Sequence, residues 1–155
     1  MRYLKGFLLV LIVAVAFSCK KSKGEDPEPE PTEAELRLEI LTDGNGTWTP
    51  PASGAVMLGE GSSALDITEL FEDFTITFSE TGYTTTGTTP VWARSGTWEF
   101  VDDDGEVFRR NDGLEVTITE ITEGSLKFTL EWDQTTYEEG RSKSLAGKHT
   151  FTLGK

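Results

Sequence analysis

The chain has 155 residues, the length of one domain once its ends are set aside. Its 14 basic and 27 acidic residues give a formal charge of −13. A body this acidic repels nucleic acid and anionic headgroups, so electrostatic binding to either is disfavoured and the charge reads as solubility and spacing from a negative surface.

Met1–Gly6 carries two cations, and Phe7–Phe17 (FLLVLIVAVAF) is an uncharged apolar run of 11 residues. That is short of the ~20 residues needed to cross a bilayer as a helix, and matches the n- and h-regions of a secretory signal. Ala16-Phe17-Ser18-Cys19 then resembles the lipobox of bacterial lipoproteins, in the looser form found in Bacteroidetes. The resemblance implies cleavage before Cys19, diacylglycerol on its thiol and an acylated new amino terminus. Two or three acyl chains make membrane residence durable, at ~0.8 kcal/mol per buried CH₂. The rival is a secreted protein with a free thiol. Cys19 is the only cysteine, so the domain has no disulfide and stands on its core alone. Lys20 is not the aspartate that marks inner-membrane retention, which implies the outer membrane, facing either the periplasm or the cell exterior.

Residues 20–31 (KKSKGEDPEPEP) have no apolar side chain other than proline. Alternating Glu-Pro favours a polyproline II spacer, and twelve residues reach roughly 37 Å at ~3.1 Å each. The organisation expected is a leader over 1–18, a lipidated cysteine and tether over 19–32, and a β domain over 33–155. Thr32-Glu33-Ala34-Glu35 fits a capping box, and Leu36, Leu38, Ile40 and Leu41 follow at helical spacing before Gly44. This predicts a short helix over 33–42, with a strand as the rival.

Beyond it the period becomes two. Phe74-x-Ile76-x-Phe78, Leu114-x-Val116-x-Ile118, Leu126-x-Phe128-x-Leu130-x-Trp132 and Phe151-x-Leu153 each describe a strand with one dry face. Asn45-Gly46, Thr81-Gly82, Asp104-Gly105, Asp112-Gly113 and Glu123-Gly124 supply the turns between strands. Eight strands are predicted, near 46–58 (broken at Pro50-Pro51), 72–80, 82–88, 95–101, 106–110, 113–121, 125–133 and 146–154, with a helical turn over 64–70. Strands joined mainly by hairpins make an antiparallel meander, closed as an up-and-down barrel, a flattened barrel or a sandwich.

Gly46-Thr47-Trp48 after a short helix resembles the Gly-x-Trp that opens the first lipocalin strand, although Gly96-Thr97-Trp98 competes for that match. PVWARSGTWEF (90–100), FRRNDGLEVTITEIT, LKFTLEW and GRSKSLAGKHTFTLGK are similar to the small lipocalin-like lipoproteins of Bacteroidetes, over residues 33–155. That likeness implies an all-β lipocalin-like fold and no particular ligand.

Sites are sparse. Gly59-Glu60-Gly61-Ser62-Ser63-Ala64 imitates a dinucleotide fingerprint but lacks the βαβ context, and Glu60 would put an anion in the cradle. Asp102-Asp103-Asp104-Gly105-Glu106 lacks the first and last ligands of a calcium loop and reads as a hairpin turn. His149, the one histidine, has neither zinc-ligand spacing nor a nucleophile elbow around it. No catalytic residue, metal or cofactor is assigned. Trp48, Trp98 and Trp132 sit in strand patterns and are expected in the core. Trp92, in a loop after Pro90, is expected to face outward beside Arg94 and to contact a ligand or partner.

Two functions follow as expectations. One is a non-catalytic, lipid-anchored module that binds a small apolar or saccharide ligand or a protein partner. The other is a structural or assembly lipoprotein whose barrel is packed solid. An interior cavity of ~300 Å³ or more lined by aromatics separates them.

Overall fold

The computed structural model describes residues 30–138, 141–144 and 146–155, with backbone alone for 136–138 and 141–144. The expected leader, Cys19 and most of the tether lie outside the described residues. Pro31–Lys155 forms one compact unit. No helix among the described residues is long and apolar enough to cross a membrane.

Helix α1 spans Glu33–Thr42. The capping box opens it as expected: Glu35 N donates to Thr32 Oγ1 at 3.2 Å, and Thr32 N donates to Glu35 Oε2 at 2.8 Å. The strands are β1 (Thr47–Trp48), β2 (Val56–Leu58), β3 (Leu65–Asp66), β4 (Thr75–Phe78), β5 (Gly82–Thr86), β6 (Ser95–Phe100), β7 (Val107–Arg110), β8 (Glu115–Ile121), β9 (Ser125–Trp132), β10 (Thr136–Glu138), β11 (Arg141–Ser144) and β12 (Gly147–Gly154). All described pairings are antiparallel, and ten strands form one sheet in the order β1-β4-β5-β6-β7-β8-β9-β12-β2-β3, with β10 and β11 paired separately.

The sheet holds ten strands where eight are expected. Seven of the expected strands appear within a few residues of their predicted bounds. The first, 46–58, splits into β1 and β2, because Pro50 and Pro51 carry no N–H for a ladder and the chain bows out through Gly54 before returning. The tenth is β3, a two-residue strand paired with β2. The helical turn expected over 64–70 is two 3-10 turns, Gly61–Ser63 and Thr68–Phe71, on either side of β3.

The sheet curls into a half-barrel. Thr49 N donates to the Gly154 carbonyl at 2.8 Å and Gly154 N returns the bond to Thr49 at 2.8 Å, so the end of β1 meets β12 at a single bridge. Most inward residues are apolar: Ile76 and Phe78, Val116 and Ile118, Leu126, Phe128 and Leu130, Phe151 and Leu153 are all buried, and Thr85, Arg110 and His149 are the buried polar exceptions among the described residues.

Helix α1 lies at one end of the curl. Trp48, fully buried, donates its Nε1–H to the Leu41 carbonyl at 3.0 Å. Lys155 Nζ sits 4.8 Å from the Trp48 ring centroid and donates to the Ile40 and Asp43 carbonyls, capping the helix C-terminus with a cation as the helix dipole favours. Ala34 N donates to the Asp103 carbonyl, tying the start of α1 to the β6–β7 hairpin.

Gly46 makes the entry to β1 possible. Its φ is +63°, and a Cβ there would stand 2.3 Å from the Phe78 carbonyl oxygen. Gly54 has nearly the same φ, +68°, and open space around it. Gly54→Ala is therefore expected to cost only the left-handed backbone penalty, about 1–2 kcal/mol. Gly46→Ala adds the steric overlap and is expected to lose clearly more in urea denaturation. Equal losses would mean that β1 moves freely away from β4.

Candidate functional site

The interior of the half-barrel is occupied by the chain itself. Between β5 and β6 the backbone turns inward after Pro90, and Val91 and Trp92 enter the core. Trp92 is 3% exposed, so the expectation that it faces outward is corrected. Its ring lies 5.2 Å from that of Tyr83 on β5, 5.7 Å from Phe128 on β9 and 6.3 Å from Phe151 on β12, edge to face in each case. Burial of a large indole among three rings is worth far more than leaving it in water, which is why a loop without strand periodicity still delivers its aromatic inward. Arg94, two residues on, is exposed, with its carbonyl accepting from Thr85 N at 2.9 Å. The two expected contact residues are thus on opposite sides of the wall.

Above Trp92 lies a residue that the sequence reading did not single out. The Arg110 guanidinium carbon is 4.7 Å from the Trp92 ring centroid, and the side chain is 1% exposed. Nη1 donates to the Val91 carbonyl at 2.9 Å, holding the inward turn in place. Nη2 donates to Asp112 Oδ2 on the β7–β8 turn, whose side chain is 45% exposed. Nε is buried with no partner. The alternation Phe108-x-Arg110 along β7 was the available signal that this arginine points inward.

The same end of the curl holds further unpaired atoms. Trp92 Nε1, Trp132 Nε1 and His149 Nε2 are buried without hydrogen-bond partners. His149 stands opposite Leu130, and Trp132 opposite Gly147, so the two are diagonal neighbours on the inner face of β9 and β12. His149 Nδ1 is 3.0 Å from the Gly147 carbonyl, which can only accept, so Nδ1 carries the proton and Nε2 the lone pair. A groove of about 700 Å³ begins at Asp112 and runs past Leu114 and Trp132 between walls that include Glu131 and Asp133. A second groove, of about 750 Å³, follows the seam between the Pro50–Ser53 loop and the start of β4, with Glu69, Glu72 and Asp73 along it.

Asp102 accepts from Gly105 N through Oδ1 at 3.2 Å, as a hairpin turn requires. Among the described residues, no group of three or more His, Cys, Asp or Glu side chains is placed to share a metal ion. Comparison with family models, with curated proteins and with solved structures finds no match.

Burial lowers the His149 pKa, outweighing the raising effects of the Gly147 carbonyl and of Glu131. The unfolded chain therefore takes up a proton near pH 6.5 that the folded domain refuses. The stability held by this group is complete above pH ~6.5 and is lost as pH falls through the lower folded value. His149→Leu is expected to flatten the decline in melting temperature between about pH 6.5 and 5, a window above the carboxylate range. An unchanged slope would mean that His149 titrates normally in the fold.

Proposed function

We propose that the chain is a lipid-anchored lipoprotein of the outer membrane whose β domain is an eight-stranded, lipocalin-like barrel acting as a non-catalytic binding or interaction module. The circuit β1-β4-β5-β6-β7-β8-β9-β12, joined at Thr49–Gly154, supports the eight-strand reading and leaves β2 and β3 as a flap on β12. The first Gly-Thr-Trp triplet supports the likeness, since Trp48 lies beneath the helix that precedes it. Anchorage rests on Cys19 standing between an apolar leader and an acidic, proline-rich spacer.

One observation carries the mode of action: the indole of Trp92 fills the space in which a ligand would otherwise lie. Recognition then falls to the rim and the outer surface. The same filled interior favours the second reading, a structural or assembly protein with no small-molecule ligand, and the rim separates the two.

Cys19→Ser is expected to stop incorporation of labelled palmitate and to move the protein from the membrane pellet to the soluble fraction. Retained label, or an unlabelled wild type, would overturn the anchor.

A further inference from the structure

Arg110 carries half of an empty fork. A guanidinium presents Nε–H and Nη2–H side by side, an edge that matches both oxygens of one carboxylate. Asp112 takes this edge through a single oxygen: Oδ2 accepts from Nη2, Oδ1 accepts from Leu114 N at 3.3 Å, and Nε is left unpaired although buried. A buried N–H without an acceptor costs more than the ordinary hydrogen bond it lacks. Asp112 also sits half in water on a turn, so it can leave the arginine without disturbing a strand. The arginine itself is anchored independently, through Nη1 to Val91 and by its stack on Trp92. Arg110 does not itself line the groove beside it, but Asp112, which covers the Nη2 side of the edge, does.

The groove that begins at Asp112 narrows the ligand class. Its lining includes Leu114 and the half-buried Trp132, its volume is in the small-molecule range of ~300–1,000 Å³, and its acids Glu115, Glu131 and Asp133 outnumber its one cation, Lys148, which is itself paired with Glu60 at 2.6 Å. A simple anion approaching Arg110 would meet those carboxylates and the net charge of −13. A molecule that brings its own cation would not.

We propose that Arg110 and Asp112 form the anchor of a rim site for a small zwitterion with a flat apolar body, an aromatic amino acid by chemical class. Its carboxylate takes Nε and Nη2 of Arg110 together. The displaced Asp112 pairs with its ammonium group, one ion pair is exchanged for two, and no net charge enters the acidic domain. The ring lies along Leu114 and Trp132. This deepens the reading of the domain as a binding module and is independent of the lipid anchor, so a failed titration beside an intact Cys19 result removes the ligand and leaves the lipoprotein.

The test titrates the full-length chain in detergent with phenylalanine, phenylacetate and phenethylamine by calorimetry, and follows the Arg110 Nε–H resonance by NMR. Phenylalanine is expected to bind saturably, about ten-fold or more tighter than either singly charged probe, and to move that resonance downfield as the vacant donor gains a charged acceptor. In Asp112→Asn, phenylalanine loses its advantage over phenylacetate. Should that variant fold poorly, the wild-type resonance decides alone. No saturable phenylalanine binding, an unmoved Nε–H signal, or phenethylamine binding as tightly as phenylalanine would each overturn the proposal.

Discussion

A curled sheet encloses a volume that must be filled, because an apolar void forfeits contact on every side that lines it. In this domain the filling hangs on the Trp92 indole, set against Tyr83, Phe128 and Phe151 and roofed by Arg110. Rings from three strands and a cation from a fourth share that one neighbour. Phe71 and Phe74 continue the cluster to the seam, each within 6 Å of the Phe151 centroid. With Cys19 the only cysteine, no covalent staple can replace this packing, and a domain of this size depends on it for its net stability.

The two ends of the curl solve the same problem differently. At the helix end the polar atoms named above are paired: Trp48 Nε1 has the Leu41 carbonyl, and Lys155 Nζ has two carbonyls and the Asp43 carboxylate. At the other end Trp92, Arg110, Trp132 and His149 each keep one buried nitrogen unsatisfied. Unpaired buried nitrogens oppose folding, while pairing at the helix end supports it. Sequences satisfy their polar groups where only stability is at stake, and depart from that rule where another requirement acts. The departure is concentrated at this rim, with Arg37 Nε on α1 the one unpaired buried nitrogen of the helix end among the described residues.

Much of this was legible in advance. Period-two alternation located four strands, turn pairs helped to bound three more, and the capping box located α1, because each is a local pattern with a local cause. What escaped was non-local. The Pro50-Pro51 break was visible, but whether the chain after it rejoins β12 depends on Thr49 meeting Gly154, about a hundred residues away. Pro90 correctly marked a loop, yet nothing in a loop's sequence tells whether Val91 and Trp92 face water or a waiting hollow. Arg110 was the costlier oversight. Its alternation with Phe108 points inward, but arginines are so seldom fully buried that the pattern alone does not single one out.

The acidity of the chain ties these levels together. Excess carboxylates repel anions in general, and that field acts on whatever approaches the rim. Inside that field the sole deeply buried cation among the described residues is Arg110, neutralised by a carboxylate that is itself half in water. A buried charge with so exposed a partner is costly to keep and would be easier to replace by an apolar side chain of similar size. Its retention at the inward position next to Trp92 is therefore hard to attribute to stability. The arginine instead offers, behind Asp112, a guanidinium edge that a carboxylate fits, provided the incoming molecule also satisfies the acids around it.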